Sequence, residues 1–350
     1  MARNQRIFYA CQAVAITGRG GEVHAANVVK GLQSVGMSST FTLDQVFEMG
    51  QIEIYENVEE VADIEVTLEK VLDGEKLIYD LASSGACKTD VVTATKARSD
   101  VYLAVFDDGL SHATGVPRNV CFNSGMFISS VSYSYSVDGS ATESVTLVGN
   151  DRFWNDSAGS IGVLGSEAVP YSGWREFENE VGGNSGVTYQ LDGTDTPVSG
   201  VVRRVDVDVA GSTLPAILMV QGGDDASSEA GISSNAHVQS ISVSTDFGQE
   251  NIQELGRFGP YTRYATFPVE VTCDFEVIAT SGGLIDVSGA APNLVNHELV
   301  IKDTAGTVIN LGTKNKLSSV SYSGGDTGGG NATVSYSFSN FNVLTVNGGA

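Results

Sequence analysis

Carboxylates are the most frequent groups in this chain that could do chemistry, and their spacing argues against it. Among 350 residues there are 42 Asp or Glu and 19 Lys or Arg, a formal net charge of −23. Glu65 and Glu69, and later Glu270, Asp274 and Glu276, are interleaved with apolar residues. Side chains at every second position share one face of a strand. Acid–base catalysis needs two carboxylates whose environments drive their pKa values apart, and nothing in this spacing selects such a pair. His24, His112, His237 and His297 are scattered and form neither an HxH nor an HExxH pattern. Cys11, Cys87, Cys121 and Cys273 form no CxxC pair, which excludes a zinc site of the usual spacing. They are read as reduced thiols, with disulfides between subunits in an oxidising medium as the alternative. Asp107–Asp108 and Asp224–Asp225 lack the alternating acids and terminal Glu of a calcium loop. The glycines at 18, 20 and 21 are too few for a phosphate loop, and no Gly-x-Ser-x-Gly elbow is present. The sequence therefore nominates no catalytic, cofactor-binding or metal residue, and the chain is not expected to be an enzyme.

The elements that carry these carboxylates are strands. Ile64, Val66 and Leu68 alternate with Glu65, Thr67 and Glu69, and Val269, Val271, Cys273, Phe275 and Val277 alternate with Glu270, Thr272, Asp274 and Glu276. Period two predicts a strand with one apolar and one acidic face. Asp73–Gly74 closes the first of them, and residues 75–82 predict a short helix with Leu77, Ile78 and Leu81 on one side and Asp73 as N-cap. Residues 6–16 predict one strand, then a glycine turn. Residues 101–106 predict another, answered by 298–301. Abundant Ser, Thr and Val with 41 glycines and 7 prolines fit a mainly β fold joined by tight turns.

The chain repeats itself. Residues 33–50 match 239–256 without a gap at an offset of 206, with Phe41 and Gly50 recurring as Phe247 and Gly256, and Tyr55 recurs as Tyr261 at the same offset. The acidic strand aligns at 205. Residues 128–134 match 317–323 at six of seven positions, at an offset of 189, and 143–147 align with 332–336 at the same offset. Collinear blocks with drifting offsets indicate duplication of one unit. The expected domains are 1–150 and 206–350, joined by a Gly/Ser-rich connector, 151–205, that holds both tryptophans, Trp154 and Trp174. So many aromatics predict a packed segment rather than a flexible linker. The net charge disfavours binding to nucleic acid or to anionic membranes. The N-terminus shows no signal peptide, and no apolar run is long enough to span a bilayer.

These blocks resemble the tube proteins of bacteriophage tails, a family related to type VI secretion tube proteins. The residues that carry the resemblance are Ser38, Ser39, Thr40 and Phe41 followed by Glu48, Met49 and Gly50; the strand at 64–68 with its short helix; the Ser-Ser-Val-Ser-Tyr-Ser strand of each copy; and the closing 331–338. The resemblance covers about four fifths of the chain. It implies tandem β-sandwich or barrel domains, each with at most a short helix. It implies that sheets join between subunits around a lumen, that six domains make a ring, and that rings stack into a tube. With two domains per chain, a ring is a pseudo-hexamer of three chains. Implied partners are further copies of the chain, tail terminator, baseplate or tip, sheath and tape-measure proteins, with DNA passing unbound and no cofactor. Glu65, Glu69, Glu270 and Asp274 are expected to face the lumen, and the expected location is the virion tail after assembly in the host cytoplasm. A tail terminator, hub ring or secretion tube is the near alternative. A β-sandwich adhesin or carbohydrate-binding module using the aromatics of 151–204 is the distant one.

Overall fold

A computed structural model describes residues 7–21, 23, 27–83, 91–107, 117–155, 160–162, 168–170, 200–209, 212–215, 218, 237–256, 259–279, 295–324 and 331–348. The chain is mainly β. Its strands are β1 (Gln12–Gly18), β2 (Leu32–Thr40), β3 (Leu43–Phe47), β4 (Ile54–Glu59), β5 (Asp63–Val71), β6 (Ser99–Val105), β7 (Asn119–Ser136), β8 (Thr142–Gly149), β9 (Asp151–Asn155), β10 (Ser160–Gly162) and β11 (Ala168–Pro170). There follow β12 (Val238–Asp246), β13 (Gln249–Ile252), β14 (Thr262–Ala265), β15 (Glu270–Ile278), β16 (Val300–Lys302), β17 (Val308–Asn310), β18 (Lys316–Ser323), β19 (Thr333–Phe341) and β20 (Thr345–Asn347). Two short helices are α1 (Ile78–Ala82) and α2 (Val91–Ala94).

One antiparallel path runs β18-β19-β15-β12-β7-β8-β5-β2. Taken from its two ends, the order is β2-β5-β8-β7 and then β12-β15-β19-β18, the same progression met twice. The join between them is β7 against β12, with Val243 opposite Tyr133 and Ser244 opposite Ser132. Each half carries two β-bulges in matching places. Gln33 is the extra residue of β2 against β5, and Gln239 is that of β12 against β15. Ser129 is the extra residue of β7 against β8, and Ser318 that of β18 against β19.

These registers correct two of the sequence alignments. Ser39 faces Ile64, while its counterpart Thr245 faces Val271. Ile64 therefore corresponds to Val271 rather than Val269, an offset of 207 rather than 205. Likewise Leu147 corresponds to Phe338, an offset of 191 rather than 189. A slip of two residues leaves every side chain on its own face, so periodicity could not detect it.

A second layer backs each half. The first part of β7 pairs with β6 and β9, and β6 pairs with β1. In the other half β17 pairs with β16 and β20, and 207 and 213 bridge to 303 and 300. The single long strand β7 is thus matched by two strands, β17 and β18. Buried Asn315 marks the break: its amide donates to the carbonyls of Leu311 and Gly312. The core between the layers is continuous, running from Val66, Leu68 and Val145 through Tyr133 and Val243 to Phe275 and Phe338.

Helix α1 is shorter than expected, and Asp73 does not cap it. Its N-cap is Leu77, which makes no side-chain cap bond. The free N–H groups of Ile78 and Tyr79 instead donate to the Glu143 carboxylate at 2.7 and 3.0 Å, a long-range partner that local sequence cannot show. Asp73 accepts from the Glu75 N–H and pairs with Lys70. Residues 6–16 do not form one strand: a 3-10 turn at Tyr9–Cys11 precedes β1. Of the connector, Phe153 and Trp154 lie exposed on β9, while Trp174 and the other aromatics beyond residue 170 fall outside the described residues.

Candidate functional site

The face of the eight-stranded path that turns away from the core is built of small hydroxyls and carboxylates. Following the register across one row gives Ser38, Glu65, Val148 and Phe127 at one end of the strands. The next rows give Gly36, Thr67, Thr146 and Ser130, then Ser34, Glu69, Ser144 and Ser132. The pattern continues through Ser240, Ser242 and Ser244 of β12, through Thr272, Asp274 and Glu276 of β15, and through Ser335, Ser337 and Ser339 of β19. Lys316, on edge strand β18, is the one cation among these described rows. The hydroxyls bond to the acids and to one another: Ser34 donates to Glu69 at 3.3 Å, Ser240 lies 3.5 Å from Glu276, and Ser244 is 2.8 Å from Thr272.

Glu65, Glu270 and Asp274 are exposed on this face and Glu69 is half-buried. The structural register pairs Glu69 with Glu276 and Asp63 with Glu270 as equivalent positions, so Glu276 and Asp63 join the acidic set that the sequence nominated. Carboxylates outnumber the single described cation, Lys316, on this face, so its charge is net negative.

Among the described residues, the two ends of the path, β2 and β18, are edges with no further strand paired to them. Beside each β2-like strand an arm projects. One arm is β3–β4, whose Leu43, Phe47, Met49, Ile52 and Tyr55 are exposed. The other is β13–β14, with exposed Leu255 and Tyr261. Gly50 and Gly256 turn the two tips with φ of 97° and 87°, a conformation that favours glycine. The bases of the arms differ. Phe247 is 0% exposed and stacks on Tyr79 with centroids 6.5 Å apart, whereas its repeat partner Phe41 is 71% exposed. The second arm lies on the first half of the chain. The Phe247 N–H donates to the Ser129 carbonyl, the Gln249 amide donates to the Ile128 carbonyl, and Arg263 pairs with Asp63 at 2.8 Å. Burial lowers the Arg263 pKa, and Asp63 opposes that shift.

Beneath the first half Lys70 and Glu143 sit opposite each other on β5 and β8, both fully buried. Lys70 pairs with Asp73 at 3.1 Å and donates to the Lys76 carbonyl, and the Tyr133 hydroxyl donates to Glu143. Burial raises the Glu143 pKa, against the pull of Lys70 and of the N–H groups of Tyr79 and Ile78. The structural equivalents of this pair in the other half are Val277 and Val334, which also face each other. The Glu143 carboxylate is fully buried and its oxygens are taken up by Ile78, Tyr79 and Tyr133, so the pair is a packing feature.

Cys11, Cys121 and Cys273 are free and buried, and burial raises the thiol of Cys121 to about 11 and that of Cys273 well above its ordinary value. Buried, protonated thiols are poor partners for an intersubunit disulfide; Cys87 lies outside the described residues. Among the described residues, no three His, Cys, Asp or Glu are grouped to hold a metal, and no helix is long and apolar enough to cross a membrane. His24, His112, Asp108, Asp224 and Asp225 lie outside the described residues.

No protein-family model matches the chain, and no curated protein matches it. Among solved structures, similarity is found to the tube-terminating cap of the anti-feeding prophage, at 14% identity and a TM-score of 0.33, over 45% of this chain and 95% of that one. A chain of the sheath–tube complex of an extracellular contractile injection system matches at 12% identity and a TM-score of 0.33, again over 45% and 95%. The sheath/tube terminator of such a system matches at 14% identity and 0.33, over 44% of this chain and 99% of that one.

Proposed function

We propose that this chain is a structural tube subunit of a phage tail or tail-like particle, made of two copies of one tube domain, residues 1–150 and 206–350, linked by 151–205. Three chains close a ring of six domains, rings stack, and the acid-and-hydroxyl face lines a lumen through which DNA passes without being held. The observation that carries this reading is the single sheet path of two like halves, joined strand to strand at β7–β12 and ending in two unpaired edges. Such a subunit is complete only when further copies cover its edges, and closure into a ring removes exposed edges altogether. The row of carboxylates and serines supports the lumen, because phosphates and carboxylates repel. Terminator, baseplate or tip, sheath and tape-measure proteins are the partners such a tube needs. The proposal places the protein in the tail, assembled in the host cytoplasm, without catalytic activity.

Electron microscopy of the purified protein across a concentration series tests this. Rings with three-fold chain symmetry, and stacks of them, are expected. A monodisperse monomer at every concentration overturns the proposal. A map with Glu65, Glu69 and Asp274 on the outer wall overturns the lumen assignment and leaves the tube.

A further inference from the structure

The chain contains one finished joint and the two halves of another. In the finished joint β7 meets β12, Tyr133 is 1% exposed and Phe247 is covered. The strand equivalent to β7 is β18, and the strand equivalent to β12 is β2; both are edges. Their core-side residues are uncovered to match: Tyr322, the counterpart of Tyr133, is 52% exposed, and Phe41 stands open where Phe247 is buried. The edge strands keep the bulges that their covered counterparts have, so their unpaired hydrogen-bonding rows run in the same geometry.

We propose that β2 and the β3–β4 arm of one chain take the β18 edge of a second copy in the register of the internal joint. Carrying β12 back by 206 residues and β7 forward by 189 sets Met37 opposite Tyr322 and Ser38 opposite Ser321. The Phe41 N–H then donates to the carbonyl of the bulged Ser318, as Phe247 does to Ser129. This specifies the residues of the chain-to-chain contact and rests on the ring reading above. The new joint differs from its template in its polar contacts: Gln249, which donates to Ile128 in the internal joint, is replaced by Leu43. Arg263 is replaced by Asn57, and Asp63 by Glu270. The contact between chains therefore has an amide facing a carboxylate where the internal one has an ion pair. It is the weaker of the two and the one that opens on dilution.

The test uses full-length chains. Met37→Cys mixed with Tyr322→Cys, and Ser38→Cys mixed with Ser321→Cys, bring cysteines to directly opposed positions. Adjacent pairs alternate between the two antiparallel pair types, so one of the two mixtures has the closer Cα spacing. Mild oxidation is expected to give cross-linked dimers that need both partners. Met37→Cys with Val320→Cys, two residues out of register and beyond disulfide reach, gives none. The unaltered chain run alongside reports any native thiol contribution. Independently, Asn57→Arg is expected to lower the concentration at which oligomers dissociate by about three- to tenfold, and Glu270→Gln to cancel that gain. Oligomers that cross-link equally well out of register, or not at all, overturn the joint while leaving the ring reading intact. An Asn57→Arg gain that survives Glu270→Gln overturns the arm contact. Failure of the unaltered chain to oligomerise overturns both readings together.

Discussion

At the residue scale the sharpest asymmetry is Lys70 and Glu143, a buried lysine facing a buried carboxyl where the other half has Val277 and Val334. Two apolar residues satisfy the packing in one half, so the charges serve something local to the first. Glu143 does so by accepting the two N–H groups that start α1, a helix too short to cap itself. Removing Lys70 leaves that carboxylate buried and short of a counter-charge. Lys70→Met is therefore expected to cost about 3–5 kcal/mol at neutral pH. Because the folded-state pKa of Glu143 is raised, the folded chain holds its proton more tightly than the unfolded chain. Its contribution is fully present below the ordinary carboxyl value of 4.5 and is lost as pH rises through the raised folded value. In the lysine-free variant that loss is larger, so its deficit against the parent should shrink as the buffer is taken from neutral towards pH 4. Urea titrations of both proteins at several pH values measure it, and a deficit independent of pH counts against the assignment.

At the scale of elements, the two arms are one sequence motif in two states. Phe247→Ala at the covered base is expected to destabilise the monomer by about 3–5 kcal/mol, and Phe41→Ala at the open base to stay within about 0.5 kcal/mol. Chemical denaturation at a concentration where the chain is monomeric separates them; equal losses would mean that the first arm is also packed at home. The alternation at β5 and β15 was legible from sequence alone, as was the recurrence of Phe41, Gly50 and Tyr55, because periodicity and turn chemistry are local. The register was not. A strand can slide by two without exposing its apolar face, and the similarity of Val269 to Val271 and of the serine rows to one another hid the slide. The cap of α1 was illegible for another reason: Glu143 is 65 positions from Ile78. Nor could sequence show that one phenylalanine is buried and its twin exposed, since the difference lies in what happens to be next to each.

At the scale of the whole molecule, two like halves share one sheet and one core and meet strand to strand at the β7–β12 join.

 The halves are told apart by their edges: β2 and β18 are open, while β12 and β7 cover each other. An acidic chain of this charge repels its own copies, so whatever holds them together must outweigh that repulsion. In the proposed ring, ladder hydrogen bonds and the covering of Tyr322 and Phe41, both exposed in the single chain, supply contacts that salt does not weaken.

The bulges at Gln33 and Gln239, and at Ser129 and Ser318, have a consequence for shape. Each extra residue bends its strand and tightens the local twist. Both bends recur in each half at matching stations, so every half turns the sheet through a similar arc. In the proposed ring the bend per half then sets the circumference, with the number of chains following from it. Deleting Gln33 and Gln239 together removes one bend from each half and flattens the arc. Wider rings or spirals that fail to close are the expected outcome in two-dimensional class averages, and rings of unchanged diameter would show that the arc is set elsewhere.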